Sequence, residues 1–386
     1  MAGQPEHTAH MPSPPFRVVI AGGGVAALEA VLAFRELDPG HALSVEVIAP
    51  DTRFVYRPLS VRDPFGPRST RAYDLEPLVQ NAGAQLRHGQ VDAVDPDERF
   101  LTLGDGTHLP YDALLLATGV ARQPALSGAG TFVGPADVPA FKSFVESLCR
   151  GAYHRVAFIV PPGPTWPLPI YELALQAGTR LQASSAQAQL AVVTPEPSAL
   201  SMFGPIASRA VERALRDRGV SLHPDSYAER LSGGQLHLDL QGAVLVDAAW
   251  AAPRLVARVP RGVPTADGGF VPVDDIGRVD GFVDLFAAGD VTSGGVKQGG
   301  VAAQQAAVCA QAIAALAEIA PAPEPSPPVL RALLLTGGEP LWLRSDPDSD
   351  TPSEASDEPL WWPAHKIFGA HLAPVLAGLE HTATRV

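Results

Sequence analysis

The sequence predicts an α/β fold of two open parallel-sheet units, the second inserted into the first, followed by a small C-terminal region. Three observations carry this. Phe16–Ala30, FRVVIAGGGVAALEA, reads as a buried strand, a glycine turn and the start of a helix. Tyr111–Gly119, YDALLLATG, and Asp284–Asp290, DLFAAGD, each read as an apolar strand ending in small residues. Between them Arg155–Val160, RVAFIV, is a strand like the first that opens a new α/β unit. Strand, glycine turn and helix in that order are a Rossmann-type dinucleotide fingerprint with a physical cause. Gly22 permits the turn, Gly24 lets backbone approach a pyrophosphate, and small Ala27 lets helix and strand lie close; Ala26, beside it, is a further candidate contact. The helix N-terminus then faces the phosphates with free N–H groups and a positive dipole end.

Composition narrows the function classes. The chain has 386 residues, enough for two or three cored domains, and 46% of them are hydrophobic. A net charge of −13 disfavours nucleic acid and gives no general attraction to anionic lipid. The two cysteines, Cys149 and Cys309, lie far apart, so there is no adjacent dithiol and a reducing, cytoplasmic setting is expected. Residues 1–15 lack a basic stretch followed by an apolar one and read as a disordered tail, not a signal peptide. No run of eighteen apolar residues predicts a transmembrane helix. No metal site is expected.

The elements follow in order. Asp38-Pro39-Gly40 stops the first helix near Leu37, and Leu43–Ala49 is the next parallel strand. An acidic side chain near the end of that strand takes ribose hydroxyls in such folds, which makes Asp51 a candidate beside the alternative of a turn aspartate. Phe54–Phe65 is aromatic and proline-rich, a cover for a cofactor or packing over a domain edge, and Arg57 within it is a candidate cofactor contact. Asp74–Pro77 begins a short helix. Strands over 86–94, 99–103 and 107–109, with a Gly104-Asp105-Gly106 hairpin, form a meander. The strand Ala113–Leu116 then brings Thr118 and Gly119 beside a bound nucleotide.

The middle unit repeats the plan with altered chemistry. Pro161–Pro169, PPGPTWPLP, stands where a second glycine turn belongs, yet Gly163 is its only glycine. Proline near a helix start is tolerated, but it removes N–H donors that would hold a pyrophosphate. A helix over 170–177, a strand over 189–193, a helix over 208–218 and strands over 220–222, 235–240 and 244–249 complete the unit. Glu196 sits where a ribose-binding acid is expected, with a solvated loop carboxylate as the alternative.

Back in the first unit, Gly289 and Asp290 end a strand at the edge where ligands bind in parallel sheets. Lys297, Gly299, Gly300 and Val301 lead into an Ala-rich helix running to about Ile319. After a proline-rich linker, Leu330–Leu343 reads as a hairpin and Ser345–Glu358 as a mobile acidic loop. Phe368, Leu372, Val375, Leu376 and Leu379 fall at helical spacing behind Trp361, Trp362 and Lys366.

AGGGVAA, LLLATG, LFAAGD, KQGGVAAQQA and the WWPAHKIFGAHLAPVL tail together resemble the pyridine nucleotide–disulfide oxidoreductase superfamily over nearly the whole chain. Within it the nearest likeness is to sulfide:quinone oxidoreductases and type II NADH dehydrogenases. The resemblance implies an FAD domain at 16–120 and 261–320, split by an NAD(P)-binding-like domain at 121–260. A region at 329–386 holds the hairpin, the acidic loop and an apolar helix. It implies that Gly22, Gly24 and Ala27 hold the FAD pyrophosphate and that Asp290 accepts a hydrogen bond from the ribityl chain. Gly299, Gly300 and Val301 would lie near the pyrimidine end of the flavin. Lys297 would add a charge there and is the one candidate catalytic residue; its alternative is a lysine at a loop surface.

The departures matter as much. Trp166 stands in the region where such families place a cysteine, Cys309 reads as core, and Cys149 as structural. The implied activity is therefore an FAD-dependent oxidoreductase passing electrons from NAD(P)H to a quinone or other small acceptor. The rival is a non-catalytic or degenerate flavin-binding partner protein, and sulfide oxidation is disfavoured. The tail resembles segments that touch a membrane surface; the alternative is a helix packed on the flavin domain or on a homodimer partner.

Overall fold

The computed structural model describes residues 14–239 and 242–383. The expected N-terminal tail lies, up to residue 13, outside the described residues. Strand β1 (Phe16–Ala21) passes through Gly22–Gly24 into helix α1 (Val25–Leu37), which is buried from Ala26 to Phe34. Strand β2 (Leu43–Ala49) follows, then an antiparallel ribbon of Arg53–Tyr56 with Arg71–Asp74, helix α2 (Leu75–Gln80) and β3 (Gln85–His88). The strand expected over 86–94 is broken at Gly89 and Gln90. Its first part is β3, paired parallel to β2, and its second part, Val91–Asp95, opens the meander. Strand β4 (Ala113–Leu116) is wholly buried, and β5 (Val120–Gln123) leaves the unit.

The second unit contains β6 (Gly130–Thr131), α3 (Val138–Cys149), β7 (Arg155–Ile159) and α4 (Leu168–Gln182). Then come β8 (Gln189–Val193), α5 (Gly204–Asp217), β9 (Val220–His223), β10 (Ala248–Ala251) and β11 (Arg254–Ala257). Helices α4 and α5 start earlier than the sequence predicts because each takes a proline, Pro169 and Pro205, into its first turn. The buried strand expected over 244–249 is two elements. Gly242–Leu245 is the outer strand of a small antiparallel sheet with Leu245 49% exposed, and Asp247 turns the chain into β10. The Asp247 carboxylate accepts from His154 N and Arg155 N, which fixes that turn against β7.

Strand β12 (Leu285–Ala287) returns the chain to the first sheet, and α6 (Gly299–Leu316) packs along α1. The first sheet is ordered β12-β4-β1-β2-β3 and the second β6-β10-β7-β8-β9, all pairs parallel. Each is a Rossmann-like unit with its leading strand at the centre. Strands β5 and β11 pair antiparallel and join the two. By length and hydropathy α6 could cross a bilayer, but its apolar residues are spent on α1 and the first sheet.

The C-terminal region begins with β13 (Leu330–Leu334) and β14 (Leu341–Ser345), the expected hairpin. The expected acidic loop contains a third strand, β15 (Ser353–Ser356). Its hydroxyl anchor explains why: Ser353 is buried and donates to Phe203 O at 2.6 Å. Helix α7 (Leu372–Ala383) buries Leu372, Ala373 and Leu376 and packs on α1, while Phe368 precedes it under the Arg331 guanidinium. The buried Glu29 carboxylate of α1 accepts from His371 N and Leu372 N at 2.9 and 2.8 Å, satisfying the free donors at the start of α7.

Candidate functional site

A cleft of about 1160 Å³ opens where the C-terminal ends of the two parallel sheets face each other, and the segment before α7 closes one side. The glycine turn forms one end. Gly22 has φ +133°, and a Cβ there would stand 2.2 Å from Ala117 O, so only glycine fits. A Cβ on Gly23 would meet Leu75 and Ala49. A Cβ on Gly24, by contrast, would meet nothing within 4 Å, and this residue lines the open cleft. Close packing behind and open space in front is the cradle that a pyrophosphate requires. Ala26 lines the cleft beside it, while Ala27 is fully buried under the helix.

Asp51, Arg57, Thr118, Gly119, Gly289, Asp290, Lys297 and Gly299 all reach the same cleft. Thr118 Oγ1 donates to Arg258 O at 2.5 Å, and Gly119 takes φ +65° as the chain turns toward β5. Gly289 sits where the N-terminal ends of α1 and α6 converge, 3.1 Å from Ala302 Cβ and 3.4 Å from Ala26 Cβ for an added Cβ. Gly300 and Val301 belong to the first turn of α6 but lie behind the wall. Val301 N already donates to the Gln298 side chain at 2.9 Å, so one of the helix's free donors is used internally.

The charges here are organised around Asp290. Burial pushes its carboxyl up, and Arg122, Lys297 and Arg57 pull it down. Arg122 Nη2 lies 3.8 Å from Asp290 Oδ2, and burial lowers the Arg122 guanidinium in turn. Lys297 is 6% exposed, not a loop-surface lysine. It donates to Thr292 O and Gly294 O and sits 4.6 Å from the centre of the Phe270 ring. Burial lowers its ammonium, with Asp290 opposing.

The second unit contributes a different surface. Val160–Pro167 separates β7 from α4 where Gly22–Gly24 separates β1 from α1, so this is a long loop and not a tight turn. Gly163 is off the cleft wall; Thr165, Trp166, Leu168 and Pro169 are on it. Glu196 is also off the wall. Its Oε2 accepts from Tyr171 Oη at 2.8 Å and Thr194 Oγ1 at 2.9 Å, which turns the carboxylate inward, and burial raises it. Its Oε1 is buried without a hydrogen-bond partner, so Glu196 is a partly buried loop carboxylate and not a solvated one.

Sequence reasoning missed a buried ion pair on the cleft wall. Glu172 of α4 and Lys366 of the C-terminal segment meet at 2.6 Å with side chains 0% and 4% exposed. Lys366 also donates to Pro58 O at 2.9 Å, and Glu172 accepts from Leu335 N at 2.9 Å. Burial raises the glutamate and lowers the lysine, and each opposes the other's shift. The available signal was a single charge inside each of two apolar runs, PIYELAL and WWPAHKIF, because a lone charge among apolar residues demands a partner. Arg122 was missed too; it carried no local pattern.

Comparison with known proteins follows the same outline. The family model described as pyridine nucleotide-disulphide oxidoreductase matches residues 16–146 and 172–306. The gap between the two matched stretches, 147–171, contains the proline-rich loop. An NADH dehydrogenase-like protein of Mycobacterium tuberculosis is 29% identical over 301 residues, 72% of this chain and 73% of that protein. Among solved structures, the sulfide:quinone oxidoreductase of Aquifex aeolicus superposes with a TM-score of 0.79 at 19% identity. That match covers 88% of this chain and 86% of that one. A ferredoxin reductase from Rhodopseudomonas palustris gives a TM-score of 0.63 at 17% identity, covering 86% and 83%.

Proposed function

The chain belongs to the pyridine nucleotide-disulphide oxidoreductase family, and from that premise we propose an FAD-dependent enzyme that moves electrons from NAD(P)H to a quinone or another small acceptor. The observation that carries this is the glycine cradle, closed behind Gly22 and open before Gly24, with Asp290 on the wall of the same cleft. These residues fit the flavin dinucleotide. The Gly22–Gly24 backbone and the α1 N-terminus would face its pyrophosphate, with Arg57 and Arg122 adding positive charge. Asp290 would accept from a ribityl hydroxyl, and Asp51 would stand at the ribose end. The bound flavin supplies the chemistry: it takes two electrons as a hydride and hands them on in pairs or singly.

The chain's own residues supply electrostatics and protons. Lys297 and the N-terminal end of α6 would stabilise the negative charge that a bound flavin gains on reduction. Glu172 and Lys366 form an acid–base pair at the cleft wall, able to hold or move a proton at Glu172 Oε2 or Lys366 Nζ. A quinone acceptor needs protons with its electrons, which favours that class. Cys149 and Cys309 are both off this cleft, and Trp166 is on it, so a dithiol relay is no part of the proposal.

The test is anaerobic titration of the FAD-loaded protein with NADH and with NADPH, followed by addition of a soluble quinone. Bleaching of the flavin band within seconds and its return with quinone are expected. A colourless protein that FAD does not reconstitute would sink the proposal, as would a flavin that neither nucleotide bleaches. The latter result belongs to the rival reading of a partner protein without turnover, which the proline-rich loop favours.

A further inference from the structure

The donor face of the cleft is built unlike the flavin face, and the difference selects what it recognises. The loop Val160–Pro167 carries prolines at 161, 162, 164 and 167, and Pro169 follows in the first turn of α4. None has an N–H to offer a phosphate. The N-cap is Pro167, with no side-chain cap, and Ile170 N already donates to Pro167 O at 3.0 Å. Glu196 is off the cleft wall, with its Oε2 held by Tyr171 and Thr194. A tight glycine turn and a cleft-facing acid, the common grips for an adenosine diphosphate, are therefore not on this wall.

What this face presents instead is apolar and planar. Trp166 lines the cleft together with Phe132, Leu168 and Pro169. Its indole is backed by the buried Phe203 ring, with centroids 6.2 Å apart. The neighbouring Pro167 stiffens the backbone on one side. On the other, Thr165 Oγ1 donates to Pro253 O at 3.5 Å. The ring is held in place from behind and offers a fixed surface to the cleft.

We infer that this site reads the nicotinamide ring of its donor and not the adenosine diphosphate half, with Trp166 as the platform for the ring. The donor class is 1,4-dihydronicotinamides whatever their N1 substituent. The inference rests on the proposal that a dihydronicotinamide reduces the bound flavin. In that step the C4–H bond breaks, and one hydrogen nucleus leaves with two electrons for the flavin, which also takes up one proton. The nicotinamide becomes a pyridinium cation. An indole face attracts a cation more than the neutral ring it came from, so Trp166 favours the charge that develops as hydride leaves.

The experiment compares anaerobic flavin reduction by NADH, dihydronicotinamide mononucleotide and 1-methyl-1,4-dihydronicotinamide in wild type, Trp166→Leu and Trp166→Phe, each checked for FAD content. In wild type the mononucleotide is expected within about tenfold of NADH in the second-order rate constant. The leucine variant is expected to lose about tenfold with every donor and to weaken NAD⁺ product inhibition comparably, with phenylalanine in between. If the leucine variant fails to hold FAD, the phenylalanine variant and the wild-type donor comparison decide. A mononucleotide more than about a hundredfold slower than NADH overturns the inference, as do Trp166 variants that reduce at the wild-type rate or faster. A wild-type flavin that no dihydronicotinamide reduces brings down the proposed function as well; reduction by NADH alone brings down only this inference.

Discussion

Replacing Lys366 by methionine tests the buried pair that ties the C-terminal segment to both units. Lys366 Nζ lies 2.6 Å from the Glu172 carboxylate and 2.9 Å from Pro58 O, and Glu172 also accepts from Leu335 N at 2.9 Å. One interaction thus joins α4, the turn at Arg57–Leu59, the C-terminal hairpin and the segment before α7. Methionine keeps the apolar stem and removes the ammonium, leaving a fully buried carboxylate with a single N–H. Breaking such a pair from one side costs about 3–5 kcal/mol, because the remaining charge is uncompensated. The loss is pH-dependent. Burial already raises Glu172 above its ordinary value of 4.5, and Lys366 pulls it back. Without the lysine the folded carboxyl holds its proton to higher pH than the unfolded one, so the variant's deficit is smallest below about 4.5. It then grows as pH rises, until Glu172 ionises in the folded variant. Urea unfolding of wild type, Lys366→Met, Glu172→Gln and the double variant at pH 5 and pH 8 measures both effects. The double variant is expected to recover much of the loss, giving a coupling above about 2 kcal/mol. A Lys366→Met loss below about 1 kcal/mol at pH 8, or one that does not change with pH, would refute the buried pair.

Three further outcomes are expected. Gly369→Ala places a Cβ 2.3 Å from Glu29 Oε2 and 3.2 Å from Ala303 Cβ. It should destabilise by about 1–3 kcal/mol and expose the C-terminal segment to limited proteolysis; a wild-type urea midpoint would count against the Glu29 anchor. Asp290→Asn removes a charged acceptor from the cleft, so the FAD dissociation constant read by flavin fluorescence should rise about tenfold or more. An affinity within twofold of wild type would remove Asp290 from the flavin site. Of the two thiols, partly buried Cys149 should react with a disulfide reagent in the native protein. Cys309, buried and raised by that burial, should react only after denaturation. Rapid modification of both in the native state would contradict the packing of α6 against Gly277.

The elements legible in the sequence were those whose cause is local. The run RVVIA and the glycines after it fixed a buried strand and a turn because three adjacent residues supply the steric need. The strands at 43–49, 113–116 and 189–193 coincide with their apolar runs. Errors arose where a distant residue decided. An apolar run at 244–249 is broken because Asp247 is recruited by the backbone at His154 and Arg155. An acidic stretch became a strand because Ser353 reaches Phe203 O.

By itself the sequence determined two parallel-sheet units, the glycine cradle and the strand ends that carry Gly119 and Asp290. Backbone freedom, apolar runs and small residues act within a few positions of themselves. Only the tertiary structure decided which charges face one another. Glu172 and Lys366 are separated by most of the C-terminal half of the chain, and neither position has a local reason to be charged. Arg122 reaches Asp290 only because β5 crosses between the units. Glu196 is held off the cleft wall by Tyr171 and Thr194, at 2.8 and 2.9 Å. Burying an ionisable group is tolerable only with a partner in place, and the fold alone supplies the partner.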